Sequence, residues 1–431
     1  MKAKKISLLQ SNGKNFLIPF ILITSLFFAW GLANNMTDTL LAAFKRIMSM
    51  TDFQTSWVQM AFYGAYFCLA IPAAMVIKKY SYKVGILIGL AMFIIGGLLF
   101  YPASKTMMYG HFLIALYILA GGLSFLETAC NPYIVEMGKK ETGTRRLNLA
   151  QSFNPIGSIT GVMLSKFFIL SQLYQASAQE RAIMSSEQLE LIQRAELNAI
   201  MGPYVGVALI LIVIWILIFF HKMPTVNYEA TAENDNGFFA DFKYLIKQRK
   251  YLSGIVAQFF YVGAQIGVWS FTIRYVMHEI NVNEAEAATY YLASLVAFTV
   301  ARFIFTGLMK FFKPQTLLMF SALLAIGASL VVIHIGGMAG ILALVSISAF
   351  MSLMFPTIYG VTVEGLGRYT KVASSGLIMA IVGGAVLTAL QGKVSDLTQS
   401  IRLSYYVPLF CFLAIAIYGF MTRKVRILSK S

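Results

Sequence analysis

Long apolar stretches follow one another along nearly the whole chain, and they constrain its fold more than any other feature. From Phe16 to Phe420 these stretches are long enough to cross the apolar core of a bilayer, which takes about 20 residues per helix. Lipid offers no hydrogen-bond partners to backbone N–H and C=O groups, so runs of this length predict helices. The alternating segments of about ten residues that mark a membrane β-barrel are absent from the sequence. We therefore expect an all-α membrane protein.

The apolar stretches divide into about twelve predicted spans. Of the 431 residues, 58% are hydrophobic and 12% are charged, about half the charged share of a soluble domain. The predicted spans are residues 16–43, 55–77, 84–103, 110–137, 148–171, 203–221, 252–277, 287–311, 315–334, 338–364, 371–391 and 403–421. Two six-helix halves joined by a central linker are typical of many secondary transporters. The division predicted here is an N-terminal half at 1–221, a cytoplasmic linker at 222–251 and a C-terminal half at 252–431.

The basic residues indicate which side of the membrane each loop occupies. The N-terminus, the loops on its side and the C-terminus carry 24 of the 34 Lys and Arg residues, whereas the opposite loops carry seven. Basic residues near membrane ends stay on the cytoplasmic side. We therefore expect a multi-pass protein with both termini in the cytoplasm. This asymmetry explains the net charge of +16 without a nucleic-acid partner.

The chain carries no motif that indicates an enzyme. It has no Walker loop, no dinucleotide fingerprint in a suitable context and no zinc-ligand spacing. Its three cysteines, Cys68, Cys130 and Cys411, lie in apolar surroundings and predict small core residues rather than a disulfide framework. Transport would then run downhill or on an ion gradient, without a cofactor. The alternatives to a transporter are a channel, which would require a continuous polar pore, and a sugar-sensing receptor, which would require a signalling domain.

Asp38 is the first of two carboxylates that we expect to be buried in the membrane and to lie along the path of the transported ligand. It lies late in the first span and shares a helix face with Asn34 and Asn35. A charge at mid-membrane costs about 2.5–3.5 kcal/mol on insertion scales, so such residues are functional candidates. The alternative is an interfacial residue near the helix end.

Glu127 is the second buried carboxylate, and it lies in the middle of the fourth span. Asn131 lies one turn on, on the same face. Pro132 has no N–H and frees a backbone carbonyl near Thr128, so the helix is expected to bend here. The alternative is a structural glutamate that hydrogen-bonds between helices.

The fifth span carries amides at three-residue spacing, Asn148, Gln151 and Asn154. Each amide can donate and accept a hydrogen bond, which suits a hydroxyl-rich ligand. The alternative is that these amides only join helices. Gly157 and Gly161 follow and predict a face of small residues at which another helix can approach closely.

The seventh span places Gln258, Tyr261, Gln265 and Trp269 on one face, at spacings of three and four residues. Amides interleaved with aromatic rings suit a sugar, because a sugar has polar edges and apolar C–H faces. The alternative, an aromatic belt at the membrane interface, applies most to Trp269.

Arg302 is the basic residue that lies deepest within the eighth span. It either faces the interior or snorkels toward a helix end. The four histidines all fall near span ends, so none is placed to relay protons at mid-membrane. If protons drive transport, carboxylates must carry them.

Several of these motifs resemble the fucose–galactose–glucose–proton symporter branch of the major facilitator superfamily, and the resemblance covers nearly the whole chain. The stretches that carry it are Ser25-Leu26-Phe27-Phe28-Ala29-Trp30, Ala33-Asn34-Asn35 with Asp38, Leu126-Glu127-Thr128-Ala129 with Asn131-Pro132, Arg146 to Asn154, Ala257-Gln258-Phe259 with Tyr261 to Gln265, and Phe355-Pro356-Thr357. One departure is Met354-Phe355, where the resemblance leads us to expect Gln-Tyr. The missing hydroxyl would change a sugar contact there.

The resemblance implies a major facilitator fold and a proton-coupled sugar carrier that works by alternating access. The implied setting is a monomer in the lipid bilayer of a bacterial cytoplasmic (inner) membrane. L-fucose is the leading substrate. The alternatives are another hexose, such as glucose, galactose or N-acetylglucosamine, and coupling to sodium instead of protons.

The resemblance also implies roles for individual residues. Asp38 and Glu127 are implied to couple protons, and Glu127 is implied to contact the sugar as well. Asn35, Gln151 and Asn154 are implied to bind the sugar. From the pattern of the seventh span, Gln258, Tyr261 and Gln265 join them as candidate substrate-binding residues.

Overall fold

The computed structural model is a bundle of long helices. It describes residues 8–11, 14–47, 52–106, 108–168, 174, 180–181, 183–224 and 237–423. Within these ranges, nine helical segments are long and apolar enough to cross a membrane. The apolar stretches Leu17–Ala33, Phe153–Phe168 and Val205–Phe220 complete a set of twelve spans. The prediction of an all-α membrane protein with about twelve spans is therefore confirmed.

The helices follow the predicted spans closely. In chain order they are α1 Leu17–Ile47, α2 Asp52–Lys79, α3 Tyr82–Thr106, α4 Tyr109–Glu136, α5 Gly143–Gln151, α6 Phe153–Phe168, α7 Ser186–Phe220, α8 Phe238–Ile246, α9 Arg249–Ile280, α10 Glu284–Leu308, α11 Pro314–His334, α12 Gly337–Met351, α13 Met354–Val363, α14 Thr370–Met379, α15 Gly383–Thr398, α16 Ile401–Ser404 and α17 Tyr406–Arg423. Within the described ranges, 3₁₀ turns lie at Lys140–Thr142, Gly367–Tyr369 and Ala380–Val382. A small antiparallel hairpin, β1 Gln10–Ser11 and β2 Lys14–Asn15, precedes α1.

Two predicted spans are interrupted, and prolines explain both interruptions. The fifth span breaks between α5 and α6 at Ser152, and the tenth breaks between α12 and α13. Pro155 and Pro356 follow these breaks and have no N–H to donate. The carbonyls four residues earlier therefore cannot be satisfied within their own helices. The eleventh span also departs from one regular helix, through the turn between α14 and α15.

The sixth span differs from its prediction, because α7 starts far ahead of residue 203. The residues ahead of the predicted span form one continuous helix with it from Ser186 onward. Ser185 caps this helix, since its hydroxyl accepts a hydrogen bond from the Gln188 N–H at 3.3 Å. In the predicted linker, α8 occupies residues 238–246, while residues 225–236 lie outside the described ranges.

The connections between α2 and α3, α4 and α5, and α10 and α11 reach the same end of the bundle, because the spans alternate in direction. We call this end the basic face, since these connections and their flanks carry Lys79, Lys83, Lys139, Lys140, Lys310 and Lys313. The predicted excess of basic residues on one side is thus a property of this face.

Helices α1 and α6 approach each other closely, as the small-residue spacing predicts. A Cβ atom on Gly157 would overlap the carbonyl oxygen of Phe28, and a Cβ atom on Gly31 would overlap that of Asn154. Gly161 meets the backbone of Leu32 in the same way. This contact fixes the register between α1 and α6.

We expect Gly157→Ala to lower the apparent melting temperature of the detergent-solubilised protein. The added methyl group forces two backbones apart, and overpacking of this kind costs about 1–3 kcal/mol. The matched control is Gly327→Ala on α11, where a Cβ atom meets nothing within 4 Å. In that open helical position Ala stabilises by about 0.5–1 kcal/mol relative to Gly. Equal melting temperatures for the two variants would contradict the close approach of α1 and α6.

Candidate functional site

A cavity of about 230 Å³ lies between the spans, near their middle. Its wall is built by side chains from α1, α2, α4, α5, α6, α9, α10 and α13. This volume is below the range of about 300–1,000 Å³ that holds drug-sized ligands, so it suits a ligand of the size of one monosaccharide. Six of the seven side chains predicted to bind substrate lie in its wall: Asn35, Glu127, Gln151, Asn154, Tyr261 and Gln265.

Glu127 borders the cavity from α4 and is 7% exposed. Its carboxyl group interacts with the side chains of Tyr66 and Asn131. The Asn131 Oδ1 accepts a hydrogen bond from the Gln151 Nε2 at 2.8 Å. Asn131 therefore lies between the carboxyl group and one of the cavity amides. A change in the charge of Glu127 would therefore act on the residue to which Gln151 donates its hydrogen bond.

The polar wall continues along α6 and α1. The Asn154 Nδ2 donates to the Phe27 carbonyl at 3.1 Å, and the Asn35 Nδ2 donates to the Gly31 carbonyl at 3.3 Å. The Ser158 hydroxyl donates to the same Gly31 carbonyl at 3.3 Å. These bonds hold the amides in fixed orientations across the contact between α1 and α6. A ligand hydroxyl therefore meets amides that are already oriented.

Aromatic rings of α9, α10 and α13 also line the cavity. The Tyr261 ring meets the Phe355 ring edge-on at 6.1 Å, and the Trp269 ring meets the Phe298 ring edge-on at 5.1 Å. Trp269 lines the cavity and donates to the Ser348 hydroxyl at 3.2 Å, so it is not limited to an interfacial belt. The buried Tyr261 hydroxyl makes no hydrogen bond to any described residue. An unmade bond of this kind costs about 1–3 kcal/mol, which a ligand hydroxyl would recover.

Three residues singled out in the sequence lie elsewhere. Gln258 is fully buried but not part of the cavity wall. The Asn148 Nδ2 donates to the Thr357 hydroxyl at 3.2 Å, which matches the alternative that this amide joins helices. The Asp38 backbone belongs to α1, one turn beyond Asn35, but its side chain lies outside the described part of the chain.

Sequence reasoning missed part of the wall. Tyr63 and Tyr66 line the cavity from α2, and their three-residue spacing is the signal that could have identified them. The sequence allows the Arg302 side chain either to face the interior or to snorkel toward a helix end. It is 4% exposed and lines the cavity, so it does not snorkel.

Among the residues that the structure describes, no group of three or more His, Cys, Asp or Glu side chains could hold a metal ion. The described residues of the cavity wall instead offer one carboxyl group, several amides, one guanidinium and a set of aromatic rings. This set can bind the hydroxyl groups of a small neutral ligand and exchange one proton beside it.

The chain matches known proteins along almost its full length. The family model of the Major Facilitator Superfamily matches residues 20–389. The chain is 41% identical to the L-fucose-proton symporter of Haemophilus influenzae over 423 residues, covering 96% of this chain and 98% of that protein. It is 38% identical to the L-fucose-proton symporter of Escherichia coli, covering 95% and 94% of the two chains. Identity to a glucose/galactose transporter of Brucella abortus is 32%, with 96% of each chain covered.

The fold also matches a solved structure. The crystal structure of FucP, a major facilitator superfamily transporter in the outward conformation, superimposes with a TM-score of 0.89 at 37% identity. The match covers 95% of this chain and 100% of that one.

L-fucose, the sugar for which two of these relatives are named, serves as the test ligand. Asn154→Ala should bind it roughly five- to tenfold more weakly than the unaltered protein does, because one hydrogen bond to a ligand hydroxyl is lost. Trp30 and Trp269 line the cavity, so titration of the intrinsic fluorescence reports binding. The matched control is Thr160→Ala on the same helix, which removes a hydrogen bond to the Ile156 carbonyl outside the cavity wall. Equal affinities for Asn154→Ala and the unaltered protein would exclude Asn154 from the site.

Proposed function

Because this chain belongs to the major facilitator superfamily, we propose that it is a symporter that carries L-fucose across the membrane together with protons, by alternating access. The site supports this most directly through one chain of contacts, from Glu127 through Asn131 to Gln151. A titratable carboxyl group and a sugar-binding amide that share a residue can influence each other. The superfamily is one of transporters, and symport of this kind draws on a proton gradient instead of a cofactor.

The choice of L-fucose over other hexoses rests on the wall chemistry and on two relatives that are named for this sugar. L-fucose lacks the 6-hydroxyl of galactose, so an apolar wall at that corner favours it. Phe355 lines the cavity without the hydroxyl that the resemblance leads us to expect there, so this position does not by itself select L-fucose. A hydrophobic pocket discriminates against one added hydroxyl by only about 10²-fold. Glucose and galactose are therefore the second candidates, and the relative named for them supports this ranking.

Asp38 and Glu127 are the proposed proton-coupling groups, and they differ in depth. Glu127 lies at mid-span on the cavity wall, where a proton and a sugar can both reach it. The Asp38 backbone lies farther along α1, away from the basic face. We therefore propose that Asp38 takes up the proton and that the protonation state of Glu127 changes how the site binds sugar.

The proposed topology has two six-helix halves, residues 1–221 and 252–431, joined by the linker 222–251. Several hydrogen bonds between the halves lie near the basic face, among them Arg145 Nε to the Thr306 carbonyl at 3.2 Å and Asn148 to Thr357. We therefore propose that the cavity opens away from this face. The basic face and both termini are assigned to the cytoplasm, and the protein to the inner membrane as a monomer surrounded by lipid.

Uptake by the purified protein in proteoliposomes tests this function. Labelled L-fucose, galactose, glucose and N-acetylglucosamine are compared under an imposed proton gradient and an imposed sodium gradient. We expect L-fucose to accumulate above equilibrium only with the proton gradient. Accumulation driven by the sodium gradient would show that sodium is the coupling ion. Preferred accumulation of another sugar would show that this sugar, and not L-fucose, is the substrate.

Asp38→Asn and Glu127→Gln should separate coupling from binding. Neither amide can take up a proton, so uphill accumulation should be lost in both variants. Exchange of labelled for unlabelled L-fucose needs no net proton movement and should persist in Asp38→Asn. In Glu127→Gln the dependence of L-fucose binding on pH should disappear. Full accumulation in Asp38→Asn, or an unchanged pH profile in Glu127→Gln, would remove that residue from the mechanism.

A further inference from the structure

Arg302 on α10 hydrogen-bonds to the fifth and tenth spans at the points where these spans are interrupted. Its Nη1 donates to the Gln151 carbonyl at 2.9 Å, and its Nε donates to the Ser352 carbonyl at 2.5 Å. The guanidinium also lies over the Phe298 ring, 4.5 Å from its centre. No described carboxylate forms an ion pair with it. Two carbonyl dipoles and a ring face therefore stabilise this buried charge.

Both carbonyls are available because a proline lies four residues after each of them. In a regular helix the N–H of residue i+4 would bond to each carbonyl, but residues 155 and 356 are prolines. The same relation holds a third time in α4, where Pro132 frees the Thr128 carbonyl. That carbonyl accepts a hydrogen bond from the Ser374 hydroxyl of α14 at 2.7 Å. Proline-freed carbonyls are thus a recurrent means of joining spans in this protein.

Arg302 lies at the end of the cavity nearest the basic face. Tyr291, Leu295, Phe298 and Arg302 line the cavity from α10 at spacings of three and four residues. Arg302 is the last of this stripe, six residues before the helix ends at Leu308. Gln151 contributes its backbone to Arg302 and its side chain to the cavity wall. The two hydrogen bonds therefore lie between the cavity and the basic face.

We propose that Arg302 is a positioning residue that joins the two proposed halves at the base of the cavity, which is the end nearest the basic face. We call its hydrogen bonds to the Gln151 and Ser352 carbonyls the clasp. The bond to Gln151 must break when the cavity opens to the basic face. This rests on the proposed function only in that the halves separate during transport. While the clasp is closed, it holds Gln151 where its amide meets Asn131 and the cavity. Opening of the base and loosening of this amide then occur together.

The geometry requires an arginine. A guanidinium presents N–H groups in a planar fork and reaches two acceptors on different helices at once, whereas a lysine ammonium is a compact charge on a flexible stem. Lysine at position 302 keeps the positive charge but loses the double contact. Arg302→Lys therefore removes the clasp at little cost in charge.

Labelling of a cysteine placed between the clasp and the basic face tests this proposal without any sugar. Thr144 is 7% exposed on α5 and faces Gly360 of α13 across the two halves. The reporter is Thr144→Cys in a Cys68→Ser background, because Cys68 is exposed whereas Cys130 and Cys411 are buried. The protein is reconstituted in lipid nanodiscs, where a maleimide reaches both faces. The labelling rate then follows the fraction of molecules that are open at the base.

Arg302→Lys should raise this labelling rate roughly tenfold or more, as expected for the loss of a hydrogen bond from a charged donor. The matched control is Arg274→Lys, an exposed arginine that also lies over a phenylalanine ring, with 5.4 Å to the Phe271 centroid. Its labelling rate should stay within about twofold of the parent.

A second variant keeps the arginine and removes its acceptor. Pro155→Ala supplies an N–H that can bond to the Gln151 carbonyl within the helix and compete with Arg302. It should also speed labelling of the reporter. A folded Arg302→Lys or Pro155→Ala protein that labels at the parent rate overturns the clasp. If the variants label faster but the parent protein takes up no L-fucose in proteoliposomes, the clasp stands and the proposed substrate is rejected.

Discussion

A backbone carbonyl that loses its helical partner inside a bilayer must find another donor, and this requirement organises the centre of the protein. An unsatisfied group of this kind costs several kcal/mol in lipid. The carbonyls of Gln151 and Ser352 meet Arg302, and the carbonyl of Thr128 meets Ser374. Pro132, Pro155 and Pro356 therefore each create an acceptor where a neighbouring span supplies a donor. Two of these three acceptors lie where the fifth and tenth spans are interrupted.

The same break shapes the ligand site. Because α5 ends at Gln151 and α6 begins at Phe153, the amides on either side belong to one polar wall while the backbone between them is free to bond elsewhere. The close contact of α1 with α6 adds Asn35 to that wall. Aromatic rings of α1, α2, α9, α10 and α13 complete the cavity wall. A sugar in the cavity would therefore meet both hydrogen-bonding groups and ring faces.

How far the sequence predicted this site differs from residue to residue. The spacing of Gln151 and Asn154 placed both amides on one helix face, and both line the cavity. The spacing of Gln258 was equally regular, yet this residue lies outside the wall. Helical period gives the face of a residue but not where along the helix a cavity ends. Arg302 shows the same limit, since a deep arginine fits either a snorkelling or an interior side chain until its neighbours are known.

The sequence by itself determined the helical class, the twelve spans and the basic face, and it placed the carboxyl group of Glu127 at mid-span. These properties depend on length, hydropathy, charge and local spacing, all of which are written along the chain. It also showed that Pro132 would free the Thr128 carbonyl. Only the tertiary structure decided which donor that carbonyl would meet, and that Asn131 would connect Glu127 to Gln151. Those partners come from different helices, and their meeting depends on how the spans pack.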